Sequence, residues 1–398
     1  MDDYGINPRE IGWVYSCFLA AYTAFMAFGG YFIDRFGVRI ALGTALIGSG
    51  LFEVLTGYLG LTVTLAGDFL LGLLAIRGLM GIVTTPLHPA CAQTVSNWMP
   101  SSNRTTANGL VTGAAVFGIA SCYPLFGRMI DWFHWQRAFV LAGVVTMLLG
   151  AFWLLFATDS PAGRLRNASD TFPTAEYRGR LRSLHQVWIG LLSWLKLLGN
   201  PSLLFLTLGY AAVGYFQYLF FYWIQYYFDN VVHLGKDQSR WYAAIPVVAM
   251  GISMPLGGWI SDRVERRYGK ATGRKIVPIA GMVSSAFLLL FGVFSQRPAI
   301  MVAWFAASFA AMGLAEGPFW LTAIELGGKR GGSAAAIVNI GGNGIGLLAP
   351  VFTPLISEAV GWRLGIGVGG LVALLGALCW LPIRLRSEVP VERELQKV

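Results

Sequence analysis

Apolar residues along this chain form long runs that short polar stretches separate. Most runs are about 20 to 30 residues long, the length that an α-helix needs to cross a bilayer. The pattern therefore predicts an all-α polytopic membrane protein. Eleven spans are predicted, at about 11–33, 40–62, 68–97, 106–127, 137–157, 202–228, 240–261, 275–296, 299–323, 333–357 and 363–383.

Composition supports this prediction. Of 398 residues, 56% are hydrophobic and only 12% are charged, about half the charged share of a soluble protein. The 50 glycines suit close helix packing in lipid, and the 14 tryptophans suit the bilayer interface. No metal or other cofactor is expected, because the cysteines lie in apolar runs without metal-binding spacing: Cys17, Cys91, Cys122 and Cys379.

Basic residues fall unevenly on the two sides of the predicted membrane. If the loop with Arg35 and Arg39 is cytoplasmic, 21 of the 29 Lys and Arg residues lie in cytoplasmic segments, seven lie outside and Arg77 lies within a span. This clustering in loops does not indicate nucleic-acid binding. It predicts a plasma-membrane (cell inner membrane) protein with its N-terminus outside and its C-terminus cytoplasmic. The odd number of spans suggests that a first helix is missing; a natural eleven-helix chain is the alternative.

An internal repeat divides the chain. GGYFIDRFG at 29–37 returns as GGWISDRVE at 257–265, and Trp135 of WQRAF corresponds to Trp362 of GWRLG. The two offsets, 228 and 227 residues, are nearly equal. Tandem halves with a site at their interface are typical of transporters. We expect two pseudo-symmetric bundles, 1–158 and 200–398, joined by an Arg-rich cytoplasmic linker, 159–199, that contacts membrane lipid.

Arg77 is the residue around which a site is expected. A charge inside a span is costly, so it normally faces a cavity. Thr84 and His88 fall within about 20° of the same helix face, if the helix is continuous. This face would offer a cation, a hydroxyl and a titratable imidazole. The structural alternative is an ion pair between Arg77 and Glu53 or another acid.

Several motifs resemble those of one family. GGYFIDRFGVR resembles the signature loop of the major facilitator superfamily, in which Asp34, Arg35 and Arg39, and in the second copy Asp262 and Arg263, would act as gating loops. Further motifs are similar to those of its anion:cation symporter group, which includes hexuronate, galactonate and glucarate carriers: WMPSSNRTTANGL (98–110), GPFWLTAIE (317–325) and NIGGNGIG (339–346). The resemblance implies that Arg77 binds the substrate carboxylate and that Tyr22, Trp320, Asn339 and Asn343 contact the substrate.

The chain also departs from this group. Members often carry an acid in a Gly-x-x-Glu motif after the arginine, but here Gly81 is followed by Thr84. The repeat aligns Thr84 with Glu316 at an offset of 232, four more than for the loop motif, which implies a small insertion. We therefore expect Glu316 to be the titrating carboxylate, with His88 as a relay and Thr84 also assigned to proton coupling. The alternatives are that Glu316 is a packed or salt-bridged residue at a helix end and that His88 is a hydrogen-bonded histidine at a helix interface.

Together these features favour a secondary active transporter that works by alternating access. It would move a small organic anion, a sugar acid such as a hexuronate or aldonate, into the cytoplasm with a proton, with sodium not excluded, and would work as a monomer. No catalytic constellation or nucleotide-binding loop occurs, so no enzyme activity is expected. The alternatives are an efflux antiporter, a membrane sensor that no longer transports, and a truncated reading frame.

Overall fold

The computed structural model of the chain describes residues 6–63, 65–99, 104–159, 197, 199–327 and 331–385. Nearly all of the predicted linker, with its arginines, lies outside these residues. The helices, numbered in chain order, are α1 (Pro8–Thr62), α2 (Ala66–Thr84), α3 (Leu87–Trp98), α4 (Arg104–Phe156), α5 (Pro201–Tyr226, extended by a π-helical turn, Tyr227–Val231), α6 (Lys236–Tyr268), α7 (Lys270–Phe294), α8 (Pro298–Gly313), α9 (Glu316–Gly327), α10 (Gly331–Gly346), α11 (Ala349–Val360) and α12 (Trp362–Leu378).

Among the described residues, eight helical segments are long and apolar enough to cross a membrane, and Trp362–Leu378 is a shorter apolar helix. The all-α, multi-pass prediction is confirmed, whereas the count of eleven spans stays a prediction. Kinks at Gly37 and His134 divide α1 and α4 into two segments each. Three other segments consist of two helices with a short turn between them: α2 with α3, α8 with α9, and α10 with α11. The main difference from the predicted boundaries is α6, which continues beyond the apolar run 240–261 at both ends because polar residues extend the helix.

The repeated motifs share backbone geometry. Gly37 in the first signature loop has φ 83° and ψ 168°, and Gly269 after the second has φ 78° and ψ 161°. His134 and Gly361, which precede the two equivalent tryptophans, also have positive φ, 61° and 86°. In both copies the chain therefore reverses direction through a conformation that favours glycine.

Gly269 also locates the insertion that the sequence implies. It follows Gly37 by 232 positions, whereas Asp262 follows Asp34 by 228. Four extra residues, about one helical turn, therefore lie between Asp262 and Gly269 at the end of α6. The offset of 232 is the one that aligns Thr84 with Glu316, so the backbone supports that alignment. The bundle boundaries themselves remain a prediction.

Apolar side chains are arranged as a lipid environment requires. The rings of Phe216, Phe220 and Phe309 are fully buried and contact one another among the C-terminal helices, α5 to α12. Trp132 and Leu155 on α4 are more than 70% exposed. Such residues are stable on an outer surface only where lipid replaces water.

The N-terminal helices, α1 to α4, contact the C-terminal helices near the end of the bundle where Pro8 and Lys236 lie; we call this the Lys236 end. Tyr15 of α1 stacks on Tyr222 of α5, with ring centroids 4.4 Å apart. The Ser16 hydroxyl donates a hydrogen bond to the carbonyl of Leu347 at 2.5 Å. The Tyr123 hydroxyl donates another to the carbonyl of Phe221 at 2.9 Å. These contacts close the Lys236 end.

An ion pair between α4 and α6 reinforces this closure. Arg240 binds Asp131 through both terminal guanidinium nitrogens, one of them at 2.9 Å from Oδ1, and contacts Asp237 at 3.3 Å. The Arg240 side chain is only 5% exposed, whereas that of Asp131 is 41% exposed. Gly127 leaves room for the guanidinium, since a Cβ there would overlap it. A bidentate pair with one buried partner is stronger than an ordinary surface pair.

Substitution of Gly361 tests how much the positive φ at the repeated turn contributes to the free energy of unfolding. A Cβ at Gly361 meets nothing within 4 Å, so Gly361→Ala adds only backbone strain, about 1 to 3 kcal/mol. His134→Gly should relieve similar strain and stabilise the protein by about 1 kcal/mol after the added entropy of the unfolded chain. Thermal unfolding in detergent, followed by tryptophan fluorescence, should show opposite shifts of the apparent Tm. Equal Tm values for Gly361→Ala and the wild type would contradict this account.

Asp131→Asn should open the Lys236 end, because Arg240 would be left with only the exposed Asp237. If the closed state loses about 1 to 2 kcal/mol of stability relative to the open state, the population of the open state rises roughly tenfold. The measurement is maleimide labelling of Ser239→Cys, a buried position, in a chain whose native cysteines are replaced. Asp237→Asn is the matched control, since it removes the longer contact. Unchanged labelling in Asp131→Asn would show that the ion pair does not hold this end closed.

Candidate functional site

Arg77 is positioned by close packing of α2 against α1. A Cβ at Gly81 would overlap the Phe18 carbonyl and lie close to the backbone of Tyr22, so the two helices approach to backbone contact. The Arg77 side chain, half-buried, lies over the ring of Phe139 at 5.5 Å from its centroid. Its hydrogen bond is to the Met80 sulfur, at 3.4 Å. Such a weak acceptor leaves most of the guanidinium donors available.

Three further groups surround Arg77. Tyr15, Tyr222 and Glu53 are close enough to interact with it electrostatically. Within the described parts of the chain, however, Arg77 makes no ion pair. The structural alternative, a direct Arg77–Glu53 salt bridge, is therefore not present in this conformation. The cation lies over one aromatic ring and within electrostatic range of two tyrosines, where a planar anion could bind it bidentately.

Thr84 shares helix α2 with Arg77, as the sequence analysis assumed, but His88 lies on α3 and not on that helix. The Thr84 side chain is buried, and its hydroxyl donates to its own helix, at 2.9 Å from the Met80 carbonyl and 3.1 Å from that of Gly81. The backbone then turns at Thr85 and Pro86 before α3 begins. His88 is exposed in the first turn of α3. A relay role for either residue stays a prediction.

Glu316 lies at the start of α9 and accepts three hydrogen bonds. The Tyr210 hydroxyl donates to Oε1 at 2.6 Å and the Trp320 indole N–H donates to the same oxygen at 3.0 Å. The Gln217 amide donates to Oε2 at 3.5 Å. Among the described residues no cation pairs with Glu316, and no hydrogen bond or ion pair joins it to Arg77. The carboxylate thus depends on neutral donors, two of them from α5.

The two asparagines of the NIGGNGIG motif form a second polar group. Asn343 donates to the Asn339 side-chain oxygen at 3.0 Å and accepts from the Tyr218 hydroxyl at 2.6 Å. Asn339 reaches the sulfur of Met26 on α1 at 3.8 Å. Glycines of the same motif explain this arrangement, because a Cβ at Gly342 or Gly346 would overlap a tyrosine ring of α5.

Tyr22 and Trp320 pack against aromatic neighbours. Tyr22 is 8% exposed, stacks near Phe18 with ring centroids 6.2 Å apart, and lies within electrostatic range of Tyr218. Trp320 packs edge-on against Tyr210 at 5.4 Å while it holds Glu316. These contacts bring Tyr22, Asn343 and Asn339 near Tyr218, and Trp320 near Glu316. Their roles as substrate ligands stay predictions.

The signature loops make local contacts at the opposite end from Lys236. Arg39 bonds through Nε to the Leu154 carbonyl at 2.9 Å, and its backbone N–H donates to Asp159 at 3.0 Å. Arg35 lies over Phe36 and Arg263 over Trp259, while Asp262 is exposed. The side chain of Asp34 lies outside what the structure describes. A gating role for these loops stays a prediction.

Sequence reasoning missed several residues that line these groups. Arg274, nearly buried, pairs with Glu265 of α6 and Glu325 of α9, and so joins three helices. The other missed residues are polar positions on α1 and α5: Tyr15, Tyr210, Gln217, Tyr218 and Tyr222. Their spacing carried a signal, since residues seven apart, such as Tyr15 and Tyr22 or Tyr210 and Gln217, share one helix face.

The family model described as the Major Facilitator Superfamily matches residues 1–330 and, a second time, 232–397. A protein named as a probable sulfoacetate transporter of Cupriavidus necator is 26% identical over 96% of this chain and 86% of its own length. One named as a probable galactarate/D-glucarate transporter of Bacillus subtilis is 26% identical over 94% of this chain and 84% of its own length.

Solved structures show the same fold. The xylose transporter of Escherichia coli in its inward-open conformation matches with a TM-score of 0.71 and 16% identity, over 98% of this chain and 89% of that chain. At this identity the similarity establishes the architecture alone. The predicted major facilitator fold is confirmed by this match and by the family model.

Proposed function

Because the chain belongs to the major facilitator superfamily, a family of membrane transporters, we propose that it carries a small organic anion across the membrane and that Arg77 binds the carboxylate. The observation that carries this proposal is a half-buried guanidinium without an ion pair in the described part of the chain, held against Phe139 and close to two tyrosines. Relatives named for sulfoacetate and for galactarate and glucarate support an anionic substrate.

We infer that the substrate is a sugar acid. Such a molecule combines a carboxylate with several hydroxyls, and each buried hydroxyl needs a hydrogen-bond partner. Neutral polar side chains are gathered on α5 and α10. Hydrogen bonds join Tyr218, Asn343 and Asn339, and Gln217 donates to Glu316. Arg77 on the N-terminal side and these groups on the C-terminal side would bind the two ends of the substrate. Rocking of the two bundles about this substrate would then give alternating access.

Uptake into the cytoplasm, driven by protons, completes the proposal. The excess of basic residues in alternate loops supports a cytoplasmic C-terminus in the plasma membrane, and the superfamily resemblance favours a monomer. Glu316 is proposed as the coupling carboxylate. Protonation would weaken the hydrogen bonds from Tyr210 and Trp320, and would so change the contact between α9 and α5. His88, exposed at the start of α3, would pass protons between this region and water.

Uptake into proteoliposomes tests the substrate class. A panel of labelled hexuronates, aldonates, aldarates and aromatic acids is offered with and without an inward proton gradient. We expect gradient-driven accumulation of a sugar acid. Arg77→Gln should weaken binding of that acid about 10- to 100-fold, because charge-assisted hydrogen bonds are lost, and Arg77→Lys should recover part of the loss. Unchanged affinity in Arg77→Gln would rule out Arg77 as the carboxylate site.

Glu316→Gln tests the coupling role separately. The variant should still exchange substrate across the membrane at equal pH but should lose accumulation driven by the proton gradient. Tyr210→Phe is the matched control, because it removes one hydrogen bond from Glu316 and keeps the titrating group; it should retain coupled accumulation. Uphill accumulation by Glu316→Gln with an unchanged pH optimum would show that another group carries the proton.

A further inference from the structure

We propose that Glu53 is a second proton-binding carboxylate of the transport cycle, one that competes with the substrate carboxylate for Arg77. The inference rests on the proposed function, since it assigns a regulator to the same arginine. Glu53 lies on the second segment of α1, between Gly37 and Thr62, and it is half-buried. Neither the signature motifs nor the internal repeat singles it out.

Close helix packing holds Glu53 next to α4. A Cβ at Gly50 would overlap the Gly143 carbonyl, and a Cβ at Gly57 would overlap that of Gln136. The second segments of α1 and α4 are therefore in backbone contact on both sides of Glu53. Thr146 of α4 faces the carboxylate across this contact, and its hydroxyl lies 3.3 Å from Glu53 Oε2.

The Glu53 carboxylate accepts fewer hydrogen bonds than the Glu316 carboxylate. The Thr146 hydroxyl has a single proton, and it also lies 2.9 Å from the Ala142 carbonyl, so its bond to Glu53 is shared and long. No other hydrogen bond to Glu53 occurs among the described residues, whereas Glu316 accepts three. A carboxylate in such surroundings gains much from a nearby cation and loses much when that cation is taken by another anion.

Arg77 is that cation. The two titratable groups that act electrostatically on Glu53 within the described chain are Arg77 of α2 and Cys122 of α4. Phe139, under the Arg77 guanidinium, and Thr146, beside Glu53, are seven residues apart on α4 and so share one helix face. Arg77 and Glu53 thus contact the same face of one helix, close enough to interact but without a direct ion pair.

Counting charges shows why proton binding would accompany substrate binding. In the empty protein, ionised Glu53 balances Arg77. A substrate carboxylate on Arg77 would leave one net negative charge in a region of low dielectric, which is unfavourable. Uptake of one proton from water by Glu53 restores neutrality. Substrate and proton would therefore bind cooperatively, each raising the affinity for the other by the same factor.

Equilibrium binding of the labelled acid that gives uptake, measured on purified protein between about pH 5 and pH 9, tests this proposal. Wild-type affinity should fall by about tenfold per pH unit in the alkaline range, as expected for one linked proton. Glu53→Gln should lose this dependence and retain tight binding at alkaline pH. Glu316→Gln should keep the pH dependence of the affinity, because Glu53 is unchanged in this variant.

Two matched variants keep the carboxylate and alter its neighbours. Thr146→Val removes the hydrogen bond, and Cys122→Ser removes the other titratable group; both should retain a tenfold fall per pH unit. If Glu53→Gln retains the wild-type dependence, or if Cys122→Ser loses it, Glu53 is not the linked group. Wild-type binding that does not vary with pH would also overturn the inference, but it would leave the proposed substrate site intact.

A second measurement avoids any substitution of Glu53. A pH dye in weakly buffered solution should report uptake of about one proton when the acid binds to the wild type, and the same uptake should persist in Glu316→Gln. Loss of this uptake in Glu316→Gln would assign the proton to Glu316 and overturn the role of Glu53. If the wild type binds none of the acids, the proposed function itself fails, and the role of Glu53 falls with it.

Discussion

A guanidinium inside a lipid-embedded bundle needs either a paired anion or other neighbours that stabilise its charge. Arg77 has a ring beneath it, two tyrosines and a carboxylate within electrostatic range, and no direct ion pair in the described structure. This arrangement stabilises the positive charge and leaves most of the guanidinium's hydrogen-bond donors available for a ligand. The proposed function depends on this balance: a fully paired arginine would not accept a substrate, and an isolated one would destabilise the fold.

Glycine makes this balance possible on both sides of the bundle. Close contacts at Gly81, Gly50 and Gly143 bring α2 and α4 against α1, so that Arg77 and Glu53 both contact one face of α4. In the C-terminal helices, Gly342 and Gly346 bring the asparagine helix against the tyrosines of α5. Helices in lipid gain little from hydrophobic association, so close contact and polar bonds must hold them together.

The two sets of helices carry different chemistry despite their shared backbone geometry. Around the candidate site, the N-terminal helices contribute the half-buried Arg77 and Glu53, whereas the C-terminal helices contribute mainly neutral hydrogen-bonding groups around Glu316. Tyr15 and Tyr222 join the two sets within electrostatic range of Arg77, and Arg240 with Asp131 closes the Lys236 end. In the proposed cycle, a substrate that bridges both sets would have to separate these contacts before it could leave by the Lys236 end.

Apolar run length alone determined the helical, multi-pass architecture, because a bilayer fixes the length that a span needs. The repeated motifs also gave the positions of the two reversals and the size of the insertion, because positive φ demands glycine or a strained residue. The candidate site was only partly accessible to sequence reasoning. Arg77, Glu316 and the asparagines were identified as rare polar residues in apolar runs or by family motifs. Their partners were not, since Tyr210, Gln217 and Tyr218 lie on a helix that no motif marks.

Two features required the tertiary structure. α2 ends at Thr84 and α3 begins at Leu87, so Arg77 and His88 lie on different helices, and a periodicity argument assumes a helix without interruption. The nearness of Glu53 to Arg77 arises from backbone contact between helices that are distant in the chain. Sequence by itself therefore determined which residues are polar within the membrane, because burying them there is costly. Only the tertiary structure decided which of them meet, because that depends on helix packing between segments far apart in sequence.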